Sequence, residues 1–452
     1  MLLPFTQVGK YTRFLEYDQT IRFALLLSLH TLKNYQSHMK NIASIAVGLA
    51  VMIGLVSCST SNKGTVENPS GSESGSVLPP VETLSPNTDY RPAFDGQTRV
   101  AGVATETSYT VTEITSGLSS PWGMVNLPDG RILVTENGGT MRIVSQAGEV
   151  SDAITGLPPV NSSAQGGLLD VAVDPDFTQN RMAYWSFSQD GSNGTATAVA
   201  KGRLSDDEAT IENAQVIYTA LPEFNSFLHY GSRLEWDGSG NLFVSTGERS
   251  DIRSRPEAQQ LDAALGKVLR ITTDGDPADG NPFIGQADVL PEIYSYGHRN
   301  VQGLATHPLT GELWEAEFGP RGGDEVNLIK PGKDYGWPEI SYGIEYGGDP
   351  IGEGITQAEG MEQPVYYWDP VVSPSGITFY SGSMISEWAN NLFLGGLSSQ
   401  HIVRLVIEDN KVVGEERLLE DKNERFRDVL EGSDGALYAI TDSGKMFRVA
   451  SE

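Results

Sequence analysis

Charged and polar side chains are concentrated between Ser295 and Trp337, in the segment SYGHRNVQGLATHPLTGELWEAEFGPRGGDEVNLIKPGKDYGW. The segment combines imidazole, guanidinium and carboxylate groups with eight glycines around two short apolar strand patterns. A β-rich fold does not need so many ionisable groups at one place. The segment therefore predicts a site that holds a charged ligand.

The overall charge limits the partners that this protein can bind. The 452 residues carry a formal net charge of −28. Residues 1–58 contain five Lys/Arg against two Asp/Glu, a net +3, which leaves −31 for the rest of the chain. A surface of this sign repels phosphate backbones, so nucleic acid is excluded as a partner. No glycine-rich GxGxxG loop opens a helical pattern, which argues against NAD as a cofactor.

The single cysteine, Cys58, indicates a processed N-terminus. It cannot form an intramolecular disulfide, and it excludes a cysteine-rich metal site. Met39 begins a short basic segment, an apolar run spans residues 42–56, and LVSC ends it in a pattern that resembles a bacterial lipoprotein signal. We expect translation from Met39, cleavage before Cys58 and lipid on its thiol. A single membrane-spanning anchor is the alternative, but a run of about 15 apolar residues is short for a span.

These features divide the chain into three parts. Residues 1–58 are expected to be an N-terminal extension and lipoprotein signal peptide. Residues 59–100 are rich in Ser, Gly and Pro, a composition that predicts a disordered linker. Residues 101–452 are expected to form the folded catalytic domain. Ser59, next to the cysteine, favours the outer membrane, so we expect the folded part to be lipid-anchored and to face the periplasm.

The folded part repeats one local pattern six times. Each copy has a strand, a turn of the DG, SG or TG kind, and a second strand of β-branched and aromatic residues. The copies are LPDGRILVTE from Leu127, DFTQNRMAYWSF from Asp176, DGSGNLFVST from Asp237, PLTGELWEAE from Pro308, EWANNLFLGG from Glu387 and GSDGALYAIT from Gly432. Periodic strand units without long helical periodicity are typical of a propeller. The sequence therefore predicts an all-β, six-bladed β-propeller.

A ring of blades must close to avoid exposed edge strands. YTVTEI, from Tyr109, is expected to complete the last blade beside KMFRV, from Lys445. Long insertions within residues 266–292 and 336–364 are expected to build one functional face, because loops on a rigid scaffold carry binding sites.

Eight ordered motifs resemble one enzyme family. They are AQGGLLDVAVDPDF, LHYGSRL, GKVLRIT, NPFI, YGHRNVQGLA, EFGPRGGDEVNLI, KDYGWP and ERFRDV. Together they resemble the soluble PQQ-dependent sugar dehydrogenases, also called the glucose/sorbosone dehydrogenase family, and within it the aldose sugar dehydrogenase branch. The resemblance runs from about Leu118 to Val449, in the family's order. It implies a six-bladed β-propeller, in agreement with the repeat count, and PQQ and Ca²⁺ as cofactors.

The resemblance assigns proton transfer to His229, in LHYGSRL. In the family the matching histidine removes the proton of the sugar's anomeric hydroxyl while the C1 hydride moves to the quinone, and imidazole titrates in the useful range. Glu248, in STGERSD, aligns where some relatives carry an aspartate that orients this histidine. A surface histidine and an exposed turn carboxylate are the alternatives. His298 is expected to be structural.

Three arginines and one asparagine are implied to contact the cofactor. Arg299 and Asn300 match the pair that contacts the quinone oxygens, where a guanidinium would stabilise the charge that arrives with the hydride. Arg425 and Arg427 alternate on a predicted strand and so point to one face. The resemblance has them bind the cofactor's carboxylates, for which a planar fork is suited. A salt-bridged surface pair is the alternative for these two.

Three further positions are implied near the cofactor or the sugar. Gln165 aligns with a glutamine that reaches the catalytic centre. Trp368, in YYWDP, and Tyr346, in YGIEYGG, are aromatic candidates to cover the flat cofactor or the sugar ring. Propeller core is the alternative for both aromatic residues.

The resemblance also implies two calcium sites. Backbone carbonyls of Gly319 and Pro320 match the ligands of the Ca²⁺ that binds PQQ and acts as a Lewis acid, and oxygen ligands suit this hard cation. Glu325, with the Tyr335 carbonyl, matches a second and structural site. The DGDPADG segment at Asp274 lacks the bidentate acid of a calcium loop at its twelfth position, so it predicts a turn.

One position departs from the glucose-oxidising relatives. Where they have a lysine that contacts PQQ, this chain reads LFLGGLSSQ and places Ser398. A hydroxyl cannot replace the charge. Backbone groups of Gly396 and Leu397 are the expected compensation.

The sequence therefore predicts a PQQ- and Ca²⁺-dependent dehydrogenase that oxidises an aldose at C1 to the lactone. It would pass electrons to an external acceptor, a quinone or a cytochrome, and a homodimer is left open. A propeller lactonase is one alternative, but it would need a metal held by side chains from several blades. A non-catalytic carbohydrate-binding propeller is the other.

Overall fold

The computed structural model describes residues 78–452, which form a ring of six antiparallel β-sheets. The predicted six-bladed β-propeller is confirmed. The expected signal segment and Cys58 lie outside the described residues. Within residues 78–452, no helix is long and apolar enough to cross a membrane.

Blade 1 has three strands and the other five blades have four. Blade 1 contains β2 (Pro121–Asn126), β3 (Ile132–Glu136) and β4 (Thr140–Val144). Blade 2 contains β5 (Leu168–Val173), β6 (Met182–Asp190), β7 (Thr195–Leu204) and β8 (Ile211–Thr219). Blade 3 contains β9 (Leu234–Trp236), β10 (Leu242–Ser245), β11 (Lys267–Ile271) and β12 (Ile293–Tyr296).

Blade 4 contains β13 (Val301–Thr306), β14 (Leu313–Glu317), β15 (Asp324–Ile329) and β16 (Tyr366–Trp368). Blade 5 contains β17 (Pro374–Phe379), β18 (Leu392–Gly396), β19 (Ile402–Glu408) and β20 (Lys411–Leu418). Blade 6 contains β21 (Phe426–Glu431), β22 (Leu437–Thr441), β23 (Met446–Ser451) and β1 (Tyr109–Thr115). Short helical turns lie between strands: α1 (Phe177–Asn180) and the 3₁₀ turns Arg255–Ala258, Ser386–Trp388 and Glu420–Lys422.

All six sequence repeats fall at the same structural position. Each covers the connection between the first and second strands of a blade, together with the second strand. In blade 3, for example, Asp237 accepts bonds from the backbone of Ser239 and Asn241 in a turn between β9 and β10. The repeat therefore marks the first hairpin of each blade, which is why six copies correspond to six blades.

The ring closes through blade 6, as the sequence predicted. Strand β1 pairs antiparallel with β23, with Tyr109 opposite Ser451 and Val111 opposite Val449. The first described strand thus joins the last three strands of the chain, so that β23 is paired on both sides and β1 is the outer strand of blade 6.

Apolar clusters fill the six interfaces between neighbouring blades. Alternate residues of the buried strands point to opposite faces, so each blade contributes one set of side chains to each neighbour. The interface between blades 4 and 5 includes Trp314, Tyr366 and Trp368, and that between blades 5 and 6 includes Trp388 and Phe426. These clusters hold the ring in one geometry and so fix the loops at its ends.

The segment before β1 is packed on blades 4 and 5 by polar contacts. Asn87 and Thr88 donate backbone N–H groups to the Asp369 carboxylate at 2.9 and 3.0 Å. Arg99 donates to the carbonyls of Glu82, Leu84 and Asp369 at 3.0, 2.7 and 2.6 Å. Residues 82–99 thus make defined contacts with the propeller, although composition predicted a disordered linker as far as residue 100. Composition could not indicate these contacts, because they are hydrogen bonds to distant parts of the chain.

The two long insertions contribute differently to the site. Both start at the end of their blade that carries the first hairpin, since Leu242 pairs with Ile271 and Leu313 with Ile329. No residue of the connection from β11 to β12, residues 272–292, lines the cavity of about 430 Å³ described below. The DGDPADG segment within it is a turn, with the Thr272 N–H bonded to the Asp276 carbonyl at 2.7 Å. Only the connection between β15 and β16 reaches the predicted site, where Tyr335 lines a small cavity with Arg299 and the Tyr346 hydroxyl lies 3.5 Å from Arg299 Nη2.

Candidate active site

The candidate site is assembled from connections at one end of the ring. Because antiparallel strands alternate in direction, second-to-third connections and blade-to-blade connections share the end opposite to the first hairpins. The predicted site residues from different blades lie at or next to these connections: Gln165, His229, Glu248, Arg299, Asn300, Gly319, Pro320, Gly396, Leu397, Ser398, Arg425 and Arg427. The ring thus brings together residues that are far apart in sequence.

A cavity of about 430 Å³ lies at this end of the ring. Its walls include Gln165, Leu397, Arg425 and Arg427 from the predicted set. The remaining walls come from residues that the sequence did not single out: Ser120, Pro121, Trp122, Asn137, Ala164, Gln302, Phe318, Ser373 and Asp442. The volume is in the range of small-molecule sites, about 300–1,000 Å³.

His229 and Glu248 form a buried pair beside this cavity. The two atoms His229 Nδ1 and Glu248 Oε1 are 2.8 Å apart, and the His229 backbone N–H donates to Gln165 Oε1 at 2.8 Å. Burial, with the charge of Arg299 next in importance, lowers the pKa of His229 to about 4. The imidazole is therefore neutral near pH 7. Its Nδ1–H is directed at the carboxylate, which leaves the Nε2 lone pair free to accept a proton.

Glu317 shapes the turn that carries Arg299 and Asn300. Its Oε2 atom accepts the Arg299 N–H at 2.6 Å and the Asn300 N–H at 3.2 Å. The Asn300 side-chain oxygen in turn accepts the Gly231 N–H at 3.0 Å. Asn300 therefore links this turn to the segment that holds His229.

Arg299 and Asn300 also carry buried donors without partners. Arg299 Nη1 donates to the carbonyls of Phe318 and Gly319 at 3.0 and 2.7 Å, and its guanidinium lies 5.2 Å from the Trp337 ring centroid. Neither Arg299 Nε nor Asn300 Nδ2 has a hydrogen-bond partner among residues 78–452. Unpaired buried donors are costly, so these two atoms are suited to an oxygen acceptor on a ligand.

Arg425 and Arg427 point to the same face, as their alternation predicted. Phe426, between them, is buried in the interface of blades 5 and 6. Both guanidinium groups bind Asp442, with Nε to carboxylate distances of 2.8 Å, and Arg427 Nη1 also lies 3.4 Å from Gln302 Oε1. Two cations share one carboxylate at the cavity wall, so the pair retains positive charge for an anionic ligand.

The Ser398 hydroxyl has a hydrogen-bond partner. It lies 2.7 Å from the hydroxyl of Ser373. Of the backbone groups expected to compensate for the absent lysine, the N–H groups are already used, because Gly396 donates to the His401 carbonyl and Leu397 to the Ser373 carbonyl. Neither N–H is free for a ligand, and Leu397 lies in the cavity wall.

The two aromatic candidates lie in different surroundings. Trp368 is buried in the interface of blades 4 and 5, where its Nε1 lies 3.3 Å from Glu415 Oε1. This core position removes it from the set of cofactor contacts. Tyr346 is 71% exposed, and its hydroxyl lies 3.5 Å from Arg299 Nη2. Of the two, only Tyr346 lies at the mouth of the site.

A cluster of carboxylates, two of them buried and one partly buried, lies in blade 4 near Gly319. Glu315, Glu317 and Glu325 come from the paired strands β14 and β15, and Asn327 Nδ2 donates to Glu315 at 2.7 Å and to Glu325 at 3.2 Å. Burial, reinforced by the charge of Glu317, raises the pKa of Glu315 and Glu325 well above the usual range. Glu315 Oε2 and Asn327 Oδ1 have no partner among the described residues. Such a cluster calls for a cation or for protons.

The predicted metal ligands are placed around this cluster. Gly319, Pro320, Glu325 and Tyr335 line one small cavity of about 20 Å³ together with Arg299 and Glu317. The Gly319 carbonyl already accepts a bond from Arg299. Ligand atoms of His298, Glu315 and Glu317 lie within 4.8 Å of one another. The His298 ring is fully buried, stacks on Tyr335 at 4.7 Å and bonds Ser295 at 2.8 Å.

The residues present fit the cofactors that the resemblance implies. PQQ is a flat anion with carboxylates and quinone oxygens. The cavity of about 430 Å³ offers Arg425 and Arg427, and the unpaired donors of Arg299 and Asn300 lie at the same end of the ring. Ca²⁺ prefers hard oxygen ligands, and unpaired oxygens of the blade 4 cluster supply them.

Several residues of the site were missed in the sequence. Glu315 and Glu317 were assigned to an ordinary blade strand, although glutamates at alternate positions of an otherwise apolar strand could have indicated a buried polar face. Asp324 accepts backbone N–H groups of Gly319, Val372 and Ser373 at 2.8, 2.8 and 2.6 Å, and burial raises its pKa to about 7. Nothing in the local sequence distinguishes Asp324 from a surface acid.

Comparison with known proteins gives a consistent result. Residues 118–448 match the family model described as Glucose / Sorbosone dehydrogenase. The chain is 41% identical to the Aldose sugar dehydrogenase YliI of Escherichia coli K12 over 338 residues, which are 74% of this chain and 90% of that protein.

Solved structures are similar over the same region. A crystal structure of a glucose dehydrogenase superposes with a TM-score of 0.73 at 44% identity, over 76% of this chain and all of that one. The PQQ-bound form of an aldose sugar dehydrogenase from Streptomyces coelicolor superposes with a TM-score of 0.63 at 29% identity, over 77% of this chain and all of that one.

Proposed function

This chain belongs to the glucose/sorbosone dehydrogenase family and is a sugar dehydrogenase of the quinoprotein type. We propose that it oxidises an aldose at C1 to the lactone with PQQ and Ca²⁺. The observation that carries the proposal is the buried His229–Glu248 pair beside Arg299, next to a cavity lined by further arginines. It combines a proton acceptor with cationic groups for an anionic cofactor.

His229 acts as the general base. Oxidation at C1 removes a hydride from carbon and a proton from the anomeric hydroxyl, and the hydride leaves readily only as the proton is taken. Glu248 holds the Nδ1–H of His229 at 2.8 Å and so presents Nε2 as the acceptor. The lowered pKa of His229, about 4, keeps it neutral and able to take a proton at pH 7.

Arg299 and Asn300 donate hydrogen bonds to an oxygen atom of the bound cofactor and polarise it. Their unpaired donors, Nε and Nδ2, are buried next to the base. Fixed donors of this kind stabilise negative charge that develops in the transition state, without the cost of reorganising water. When bound, PQQ would supply a quinone carbonyl as the hydride acceptor, and the electrons would then pass to a quinone or cytochrome outside the protein.

Other residues would hold the cofactors. Arg425 and Arg427 would bind carboxylates of PQQ, with Gln165 at the same wall. Gly319 and Pro320 would offer carbonyls to the Ca²⁺ that polarises the quinone. Glu325 and Tyr335 line the same small cavity, and the Glu325 carboxylate with the Tyr335 carbonyl would hold a structural Ca²⁺.

Reconstitution tests the proposal directly. Purified protein is titrated with PQQ and Ca²⁺ while the quinone absorbance is recorded, and a panel of aldoses is then assayed with a redox dye. We expect His229→Asn to bind PQQ normally and to lose at least about 10²-fold in kcat, the contribution of a general base. His307→Asn, at the opposite end of blade 4, is the matched control and should keep full activity.

Four outcomes would refute the proposal or one of its parts. An unchanged quinone absorbance, with no dye reduction, would remove the cofactor assignment. Aldose binding without dye reduction would favour a carbohydrate-binding propeller, and metal-dependent lactone hydrolysis would favour a lactonase. Full kcat in His229→Asn would remove this residue as the base.

We also propose that lipid on Cys58 anchors the enzyme to the outer membrane, with the propeller in the periplasm. The support is the LVSC pattern after an apolar run and the serine at position 59. Cell fractionation of wild type and Cys58→Ser, with mass spectrometry of the N-terminus, tests it. Release of the variant to the soluble fraction is expected, and an unmodified wild-type cysteine would overturn the anchor.

A further inference from the structure

Arg249 is a buried cation whose surroundings do not explain it as ordinary core. It follows Glu248 directly and is 1% exposed. Two of its donors, Nε and Nη1, have no hydrogen-bond partner among residues 78–452. A buried guanidinium with unpaired donors costs folding free energy, so a stability role alone does not account for it.

The side-chain contacts of Arg249 are with residues 226–230, the segment that carries His229, and with Thr195, which is itself bonded to that segment. Its guanidinium carbon lies 3.6 Å from the ring centroid of Tyr230, the next residue after His229. Nη2 donates to the hydroxyl of Thr195 at 2.9 Å and to the Ser226 carbonyl. The Thr195 hydroxyl lies 2.8 Å from both the Ser226 carbonyl and the Tyr230 hydroxyl. Arg249 is therefore the centre of a buried cluster of polar contacts beneath residues 226–230.

The backbone is strained in both segments that meet at this cluster, the one with His229 and the one with Arg249. His229 has φ +47° and Ser232 has φ +91° in one segment, while Arg249 has φ +74° and Ser250 has φ +53° in the other. Side chains with a Cβ rarely adopt this region, and such residues persist only where their surroundings hold them in place. The strained segments are those that present His229 and Glu248 to each other.

We propose that Arg249 is a positioning residue that clamps residues 226–230 and so holds His229 against Glu248. The inference deepens the proposed function and rests on it for its catalytic consequence. Cation–π stacking on Tyr230 fixes the residue next to the base, and the bond to the Ser226 carbonyl fixes the start of the same segment. Arg249 reaches this segment from the chain that carries Glu248, so one side chain ties both members of the pair together.

The test compares Arg249→Met with Arg253→Met. Arg253 lies in the same connection, pairs with Asp251 at the surface and is 70% exposed at its side chain, so its loss controls for removal of a nearby positive charge. The direct readout is the NMR resonance of the His229 Nδ1–H in the protein without cofactor, since a proton held by a carboxylate exchanges slowly and is displaced downfield. We expect Arg249→Met to lose this resonance and Arg253→Met to keep it.

The kinetic readout uses the reconstituted enzyme. A base displaced by about 1 Å costs up to about 10²-fold in rate, so we expect kcat of Arg249→Met to fall by about 10- to 100-fold while KM for the aldose changes by less than about threefold. Arg249→Lys keeps the charge but loses the fork, and it should recover part of kcat. If Arg249→Met does not fold, Thr195→Val removes one acceptor of the same guanidinium and should weaken the same NMR resonance.

The outcomes separate this inference from the proposed function. Loss of the Nδ1–H resonance in Arg249→Met supports the clamp even if wild-type protein shows no dehydrogenase activity. A wild-type resonance in Arg249→Met, or a kcat equal to that of Arg253→Met, would overturn it. An equal loss in both variants would also overturn it, because the effect would then be one of charge.

Discussion

The substitution Glu248→Gln tests how the base is held. Glu248 is 2% exposed and accepts the His229 Nδ1–H at 2.8 Å, while its second oxygen accepts the Ser250 N–H at 2.8 Å. Glutamine keeps the shape and one acceptor but removes the charge. The substitution therefore separates the effect of the carboxylate charge from the effect of packing.

The direction of the pKa change follows from the causes that act on His229. Burial and Arg299 lower the pKa of His229 to about 4, while the bond and charge of Glu248 raise it. Removing that charge lowers the pKa further, so the imidazole becomes a weaker base. The acid limb of kcat/KM, which reports the free enzyme, should lie near pH 4 in wild type and move to lower pH in Glu248→Gln.

The magnitude follows from the loss of a charge-assisted hydrogen bond. Hydrogen bonds to charged groups are worth about 1.5–3 kcal/mol and neutral ones about 0.5–1.5. The difference of about 1–2 kcal/mol corresponds to a fall of roughly 5- to 30-fold in kcat, since 1.36 kcal/mol is tenfold in rate. This loss is smaller than that expected for removal of the base itself.

The assay is dye-linked aldose oxidation with saturating PQQ and Ca²⁺. It is run from about pH 3.5 to about pH 8, so that it covers the pKa of His229 and neutral pH. Glu359→Gln, an exposed glutamate in the connection between β15 and β16, is the matched control. An unchanged kcat in Glu248→Gln, or an acid limb displaced to higher pH, would refute the assignment of Glu248 as the carboxylate that orients His229.

Three further predictions concern the cofactor, the metal and the fold. Ser398→Lys restores a cation beside the cavity wall formed by Leu397, so it should tighten PQQ binding in an absorbance titration about tenfold; an unchanged Kd would show that Ser398 does not face the ligand. Glu325→Gln removes a carboxylate from the proposed structural Ca²⁺ site, so it should reduce the rise in Tm that Ca²⁺ gives to wild type, and Glu353→Gln should retain the full rise. Arg99→Ala loses three bonds to backbone carbonyls and should lower the free energy of unfolding by about 2 kcal/mol in urea, while an unaltered urea midpoint would mean that the segment before β1 adds no stability.

The blade pattern could be predicted because it is local. A strand, a tight turn and a second strand are specified within about ten residues, and turn chemistry limits what DG, SG and TG can do. Each of the six repeats became the first hairpin of a blade. Pairing of β1 with β23 followed from the need to cover edge strands, although the two segments lie at opposite ends of the described chain.

Burial of individual side chains could not be predicted in the same way. Trp368 was an equal candidate for core or cofactor contact, and packing against blade 5 decided for core. Glu315 and Glu317 lie on a strand that looks ordinary, yet both are buried facing His298. The availability of backbone groups is also a tertiary property, since the N–H groups of Gly396 and Leu397 proved to be bonded within blade 5.

The sequence by itself determined the class of fold, the number of blades and, through ordered motifs, the family and the identity of most candidate site residues. Charged segments such as 295–337 indicated a ligand site, because residue types and short spacings are properties of the chain. Only the tertiary structure decided how that segment divides. The ring places Arg299 and Asn300 beside His229 and Glu248 of blade 3, directs Glu317 and Glu325 into a buried cluster, and ties His229 to Arg249 through Tyr230. These relations depend on contacts between distant parts of the chain, which close only when all six blades pack.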